Sequence, residues 1–179
     1  CLRKRYVIHF DFSDMDVFVK PPGHLIVDGK QYRCALGRGG VAKNKKEGDG
    51  ATPTGKFPFR SLLFRSDRHG PPKTKLSKSF ILPEDGWCDE PSDPNYNRLV
   101  RVPYNASYEK LWRDDGLYDI VVVLGYNDKP VIPYRGSAIF LHCAKPDYSL
   151  TEGCIALLRN DLLNVLRLIG PNDSLIIST

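Results

Sequence analysis

The sequence predicts a mostly β chain with one helix near its C-terminal end, on three observations. Short segments rich in β-branched and aromatic residues recur between Gly, Pro, Asn and Asp; an Asp-Gly pair separates two apolar runs; and one stretch alone repeats its leucines at helical spacing. The strand segments are 15–20 (MDVFVK), 24–36 (HLIVDGKQYRCAL), 97–102 (NRLVRV), 118–126 (YDIVVVLGY), 137–142 (SAIFLH) and 173–178 (DSLIIS), a mostly antiparallel system. Within the second, Asp28-Gly29 predicts a tight hairpin, because the favoured type I′ turn needs positive φ at both central positions. The helix is predicted over 160–170, where Leu162, Leu163, Leu166, Leu168 and Ile169 repeat; Asn160 or Asp161 is expected to cap it and Gly170-Pro171 to end it. A shorter helical turn is predicted at 106–113. Residues 66–97, with seven Pro and Gly, read as a long loop or lid.

At 179 residues the chain is expected to be a single domain that buries roughly two-thirds of its unfolded surface. No apolar run approaches the roughly 20 residues that span a bilayer, so membrane insertion is not expected. The net charge of +5 is unevenly spread: residues 1–80 hold 17 Lys and Arg against 7 Asp and Glu, and residues 81–179 hold 9 against 14. Such a field favours an anionic polymer near the first half. The basic residues are scattered and not interleaved with stacking aromatics, which argues against nucleic-acid binding.

Five cysteines leave at least one thiol free within a chain, and no CxxC pair is present. The start, CLRKRYVIHF, lacks the apolar region and cleavage site of an export signal. Cys1 reads as a residue exposed by loss of an initiator Met or of a tag, with a mature lipoprotein terminus as the alternative.

The chemistry concentrates in HCAKPDYSLTEGCIAL, 142–157. His142 closes an apolar strand and Cys154 follows a polar loop, which can bring imidazole and thiol within reach. A thiol with pKa near 8.5 is mostly protonated at neutral pH, and a neighbouring imidazole lowers that value by forming an ion pair with the thiolate. Gly153 lets the backbone at 153–154 approach a substrate carbonyl and present N–H groups to an oxyanion. Spacing alone leaves two other readings open: two buried residues, or a metal site from His142, Cys143, Asp147 and Cys154. Strand alternation weighs against the metal set, since Cys143 should face away from His142 into the core.

The order and company of the motif add to this. SAIFLHCAKPDYSLTEGCIAL resembles the active-site segment of the L,D-transpeptidase catalytic domain (YkuD-like) family: a strand ending in His, a variable loop, then Ser/Thr, a variable residue, Gly, Cys and an apolar residue. GDGATPTGKFPF, 48–59, is similar to the family's Thr-Pro-x-Gly-x-Phe segment, and LGRGGVAKNKKEGDG to the strand and loop before it. Segments 86–100 and 117–128 resemble a compact bacterial subfamily. Taken together the resemblance covers roughly 24–178. Two positions depart from the pattern: Glu152 stands where the family commonly has His, and Ala156 where Arg or Asn is frequent, with Arg159 as a candidate substitute.

The resemblance implies a β-sandwich-like fold and acyl transfer on peptidoglycan stem peptides in the periplasm or cell envelope, with neither metal nor organic cofactor. Cys154 would attack the carbonyl at the L-centre of a diamino acid, His142 would act as base and acid, and the N–H groups of Gly153 and Cys154 would hold the oxyanion. The acyl-enzyme would pass to a side-chain amine, or to water in an L,D-carboxypeptidase. Tyr126, Asn127, Thr151, Glu152 and Arg159 are expected near substrate, and Trp87 and Tyr96 either over it or in the interior. DGATPTG reads as a structural turn. Two rivals remain: an NlpC/P60-type peptidase, disfavoured because no His follows Cys154, and a non-catalytic wall-binding module.

Overall fold

The computed structural model describes residues 14–179; the basic start and Cys1 lie outside the described residues. In chain order the strands are β1 (Asp16–Lys20), β2 (His24–Val27), β3 (Lys30–Arg33), β4 (Val41–Ala42), β5 (Thr52–Pro53), β6 (Gly55–Phe64), β7 (Lys78–Phe80), β8 (Asp85–Cys88), β9 (Leu99–Arg101), β10 (Tyr108–Lys110), β11 (Ile120–Leu124), β12 (Phe140–Cys143) and β13 (Ile155–Leu157). The helix α1 (Arg159–Leu168) and β14 (Ser174–Ile177) follow. The hairpin forms as expected, with Asp28 and Gly29 at φ of 49° and 69° between β2 and β3.

The main sheet runs β13-β12-β11-β6-β14-β1-β2-β3, with β7 beside β6. Ten-residue β6 belongs to both halves: Gly55–Pro58 pairs with β14, and Phe59–Phe64 with β11. The halves enclose one core, with Val17, Val19, Leu25 and Leu175 from one side and Ile120, Val122, Leu141 and Ile155 from the other. Helix α1 closes it with Leu162, Val165 and Leu166, each fully buried. This is the mostly β architecture that the sequence predicts, in the sandwich-like form that the resemblance implies. Burying each such side chain contributes roughly 1.5–3 kcal/mol.

A second core lies on the opposite face of β11–β13, where Leu63, Val121, Val123, Phe140 and Cys154 meet Ile81, Leu111 and Tyr118. A small sheet, β10-β8-β9, lies within the segment that supplies these last three residues. Strand β11 is therefore buried on both faces, which is why it reads as an unbroken apolar run rather than an alternation. Alternation along β12 sends Leu141 and Cys143 into the first core, and Phe140 and His142 to the second face.

Several expectations need correction. Residues 106–113 form no helical turn but contain β10, because this stretch pairs with β8. The expected lid at 66–97 carries β7 and β8 and is built into the sheets. The α1 N-cap position is Leu158, without a side-chain cap; the helix begins directly after β13, so Asn160 and Asp161 already lie in its first turn. Strands β4, β5, β6 and β13 are further additions to the predicted set. Among the described residues no helix is long and apolar enough to cross a membrane.

Candidate active site

Strands β12 and β13 run parallel, with His142 opposite Ala156. Cys154 lies two residues before Ala156, so on one sheet face it is a diagonal neighbour of His142, about 7 Å along the strand from the position opposite it. Both side chains line a cavity of about 490 Å³, together with Lys45, Glu109, Arg113, Tyr118, Thr151 and Glu152. The metal set fails to converge, since Cys143 packs in the first core.

The turn that presents Cys154 is braced from behind. Ala35 and Ala156 exchange backbone hydrogen bonds at 2.8 and 3.0 Å, Thr151 N–H donates to Leu36 O at 3.0 Å, and Arg38 N–H donates to Thr151 O at 2.8 Å. The fully buried Thr52 hydroxyl accepts from Gly37 N–H at 2.8 Å, so the Thr-Pro-Thr-Gly segment supports the strand that supports the turn. Gly153 has φ of 131°, and a Cβ there would lie 2.7 Å from Ala51 O. Only glycine fits such a position.

Thr151 clips the same turn: its Oγ1 donates to Cys154 O at 2.7 Å and accepts Gly153 N–H at 3.1 Å. The Gly153 N–H expected at the oxyanion is thus engaged by Thr151. Glu152, at the rim, pairs with Arg38 through both carboxylate oxygens at 2.9 Å. Basic residues of the first half likewise meet acids of the second, as with Arg60–Asp128 and Arg68–Asp119, which locally cancels the charge asymmetry.

The resting protonation differs from the expected thiolate–imidazolium pair. Burial pushes the Cys154 thiol up to about 12 and the His142 imidazole down to about 4, so both are neutral near pH 7. The Cys154 Sγ accepts Phe140 N–H at 3.3 Å and donates to Ala138 O at 3.1 Å. His142 Nδ1 lies 2.8 Å from Cys143 O, a carbonyl that can only accept, so Nδ1 carries the proton and Nε2 the lone pair. Tyr118 stacks edge-on to His142 with ring centroids 5.1 Å apart, and its hydroxyl donates to Glu109.

Tyr126, Asn127 and Arg159 lie outside the cavity lining. Tyr126 packs edge-on against Phe57 and donates its hydroxyl to Arg135 O. Asn127 orders the following loop, donating to Ile132 O and Gly136 O at 2.9 Å each. Arg159 contacts Asp119 at 3.2 Å and His69. Trp87 packs against Phe140 and Tyr96 is buried, so both belong to the interior.

A model of the YkuD family, L,D-transpeptidase catalytic domain, matches residues 5–177. The chain belongs to this family. Among solved structures it is similar to L,D-transpeptidase 1 of Mycobacterium tuberculosis, with 13% identity, 92% of this chain and 61% of that one covered, and a TM-score of 0.41. It is also similar to an L,D-transpeptidase from Mycobacterium smegmatis, at 13% identity, 93% and 59% coverage and TM-score 0.42. A third is the helical cell shape determining protein Pgp2 of Campylobacter jejuni, at 16%, 92% and 47%, and 0.39. The chain thus spans about half to three-fifths of the length of these three solved structures. No curated protein matches it in sequence.

The neutral buried pair sets a pH dependence of stability. Between pH 6.5 and about 4 the unfolded chain binds a proton at His142 that the folded chain does not, so stability falls as pH drops through that window, by roughly 3 kcal/mol in all. Above pH 9 the unfolded Cys154 thiol ionises while the folded one stays protonated to about 12, so stability falls again as pH rises. Urea midpoints measured against pH should show the acid slope shrink in His142→Gln. An unchanged slope in that variant refutes the assignment.

Proposed function

We propose that the protein is a cysteine-dependent L,D-transpeptidase acting on peptidoglycan stem peptides in the cell envelope, with 1–179 as one catalytic unit. What carries the reading is the convergence of Cys154 and His142 on one face of adjacent strands, in one cavity, within a chain of the L,D-transpeptidase catalytic domain family. The cavity wall supports the substrate class. Lys45, Arg113 and Lys145 stand among Glu47, Asp89, Glu109 and Glu152, a mixed lining suited to a peptide whose diamino acid bears both amine and carboxylate.

The reaction begins with rotation of the thiol away from Ala138 O. Its proton passes to His142 Nε2 as sulfur attacks the carbonyl at the L-centre; because both groups rest neutral, transfer accompanies attack and does not precede it. The tetrahedral species expels the D-residue, whose nitrogen takes the proton from His142, and leaves a thioester on Cys154. An acceptor amine then attacks, the C–S bond breaks, and the sulfur recovers a proton through His142. Thr151 and Gly153 hold the turn in which this happens, and Glu152 borders the entrance.

The test incubates the protein with tetrapeptide and pentapeptide muropeptides and follows intact protein mass and products. The expected result is an acyl adduct mapping to Cys154, with cross-linked dimers or shortened stems. Unchanged muropeptides without adduct, or an adduct on another cysteine, would sink the proposal.

A further inference from the structure

Two carboxylates on the cavity wall, Glu109 and Asp89, take part in no ion pair among the described residues. In β10, Glu109 sits opposite Trp87 of β8, and Asp89 lies two residues beyond Trp87, so Glu109 and Asp89 share one face of the small sheet. Both line the cavity that holds Cys154. Among the described residues neither takes part in an ion pair, whereas Glu152 is paired with Arg38, and Glu47 accepts from the hydroxyls of Tyr96 and Ser137. Among the described residues Asp89 Oδ1 is buried without a hydrogen-bond partner, and the one side-chain hydrogen bond to Glu109 comes from the neutral hydroxyl of Tyr118.

Arg113 also bears on Glu109, but its guanidinium is committed to Asp115, with Nε 3.1 Å from Oδ1. Burial raises the Glu109 carboxyl against the opposing Tyr118 hydroxyl and Arg113, and Asp89 and Glu47 add to the rise, so an added cation beside the two carboxylates is favoured. Both residues are half-buried; a partly desolvated carboxylate without a counter-ion is costly, and a cationic ligand lowers that cost. Tyr118 joins this pair to the reacting centre, since its ring meets His142 and its hydroxyl donates to Glu109.

We propose that Glu109, with Asp89 beside it, is the receptor for the attacking amine, binding the acceptor as an ammonium and taking its first proton. This rests on the acyl-transfer reading and assigns the residue that favours amine over water. The ammonium gives one proton to Glu109 and becomes nucleophilic; its nitrogen attacks the thioester carbonyl; the second N–H proton passes to His142 as the C–N bond forms; the C–S bond breaks; and His142 protonates the departing sulfur. The sum is thioester plus ammonium giving amide, thiol and one proton, which leaves from Glu109 to solvent.

The experiment measures how acyl-enzyme partitions between water and a primary amine, as the ratio of amide to acid products. In Glu109→Gln that ratio should fall roughly ten- to hundredfold, while the ratio for hydroxylamine, an uncharged nucleophile at neutral pH, should hold. The wild type supplies an independent reading: a hydroxyl isostere of the acceptor should compete with the amine about tenfold less well than an ammonium analogue. An unchanged ratio, an equal fall with hydroxylamine, or equal competition by the isostere overturns the assignment. Failure to form any acyl-enzyme removes the acyl-transfer reading as well, so the two failures are distinct.

Discussion

Cys154→Ser is expected to eliminate the acyl adduct and to lower turnover of stem peptides by roughly 10⁴-fold or more. Serine is the informative replacement because its hydroxyl still accepts the Phe140 N–H, the bond that sulfur makes at 3.3 Å, so the second core keeps its hydrogen bonding. Alanine would orphan that buried donor and add a cost of about 1–3 kcal/mol unrelated to chemistry. The neutral resting pair sharpens the expectation, since a base as weak as His142 in this burial removes a thiol proton in concert with attack but is poorly matched to a hydroxyl. His142→Gln should cost about 10³- to 10⁴-fold, and the double variant little more than Cys154→Ser alone, because the two groups act as a unit. Rates of muropeptide conversion for the three variants decide the matter. A serine variant within tenfold of wild type would remove Cys154 as the nucleophile, and additive losses would show that Cys154 and His142 do not act as a unit.

Gly153→Ala is expected to destabilise the fold by about 3 kcal/mol and to carry activity down with it. The backbone there stands at φ of 131°, and the added methyl would meet a main-chain carbonyl, Ala51 O, at 2.7 Å, where no side-chain rotation gives relief. Relaxation must displace either the 151–154 turn or the Thr-Pro-Thr-Gly segment. Displacing the turn breaks the Thr151 clip and moves Cys154 off the face it shares with His142. Urea unfolding together with thiol alkylation at Cys154 reads both effects. A variant with wild-type stability would show that the contact with Ala51 O does not constrain the turn.

Much of the fold was legible from period and punctuation. The Asp28-Gly29 hairpin and α1 need only local signals; β1, β11 and β14 announce themselves as β-branched runs, and β12 as an apolar one ending in His. Strand β6 escaped because Pro58 sits inside it and because its residues face different partners along its length, first β14 and then β11. Of the site, His142, Gly153 and Cys154 were visible as a motif, and Thr151 and Glu152 came with it. Glu109 was hidden by the helical reading of 106–113: at a period of two it falls on the same face as the fully buried Leu111, which is the signal that would have found it. Tyr118 lies before β11, where no alternation marks it. Tyr126 and Asn127 were drawn in by their place after a strand, but their side chains order the loop that follows.

The position of β14 bears on events in time. It fills the gap between β1 and β6, pairing with residues about 120 to 160 positions earlier in the chain. Until Ser174–Ile177 is available, both of those strands carry open edges able to recruit other chains, and the contacts that close the sheet come late because their loops are long. The main sheet, whose far half carries the candidate site, is continuous only once Ser174–Ile177 has paired with both strands.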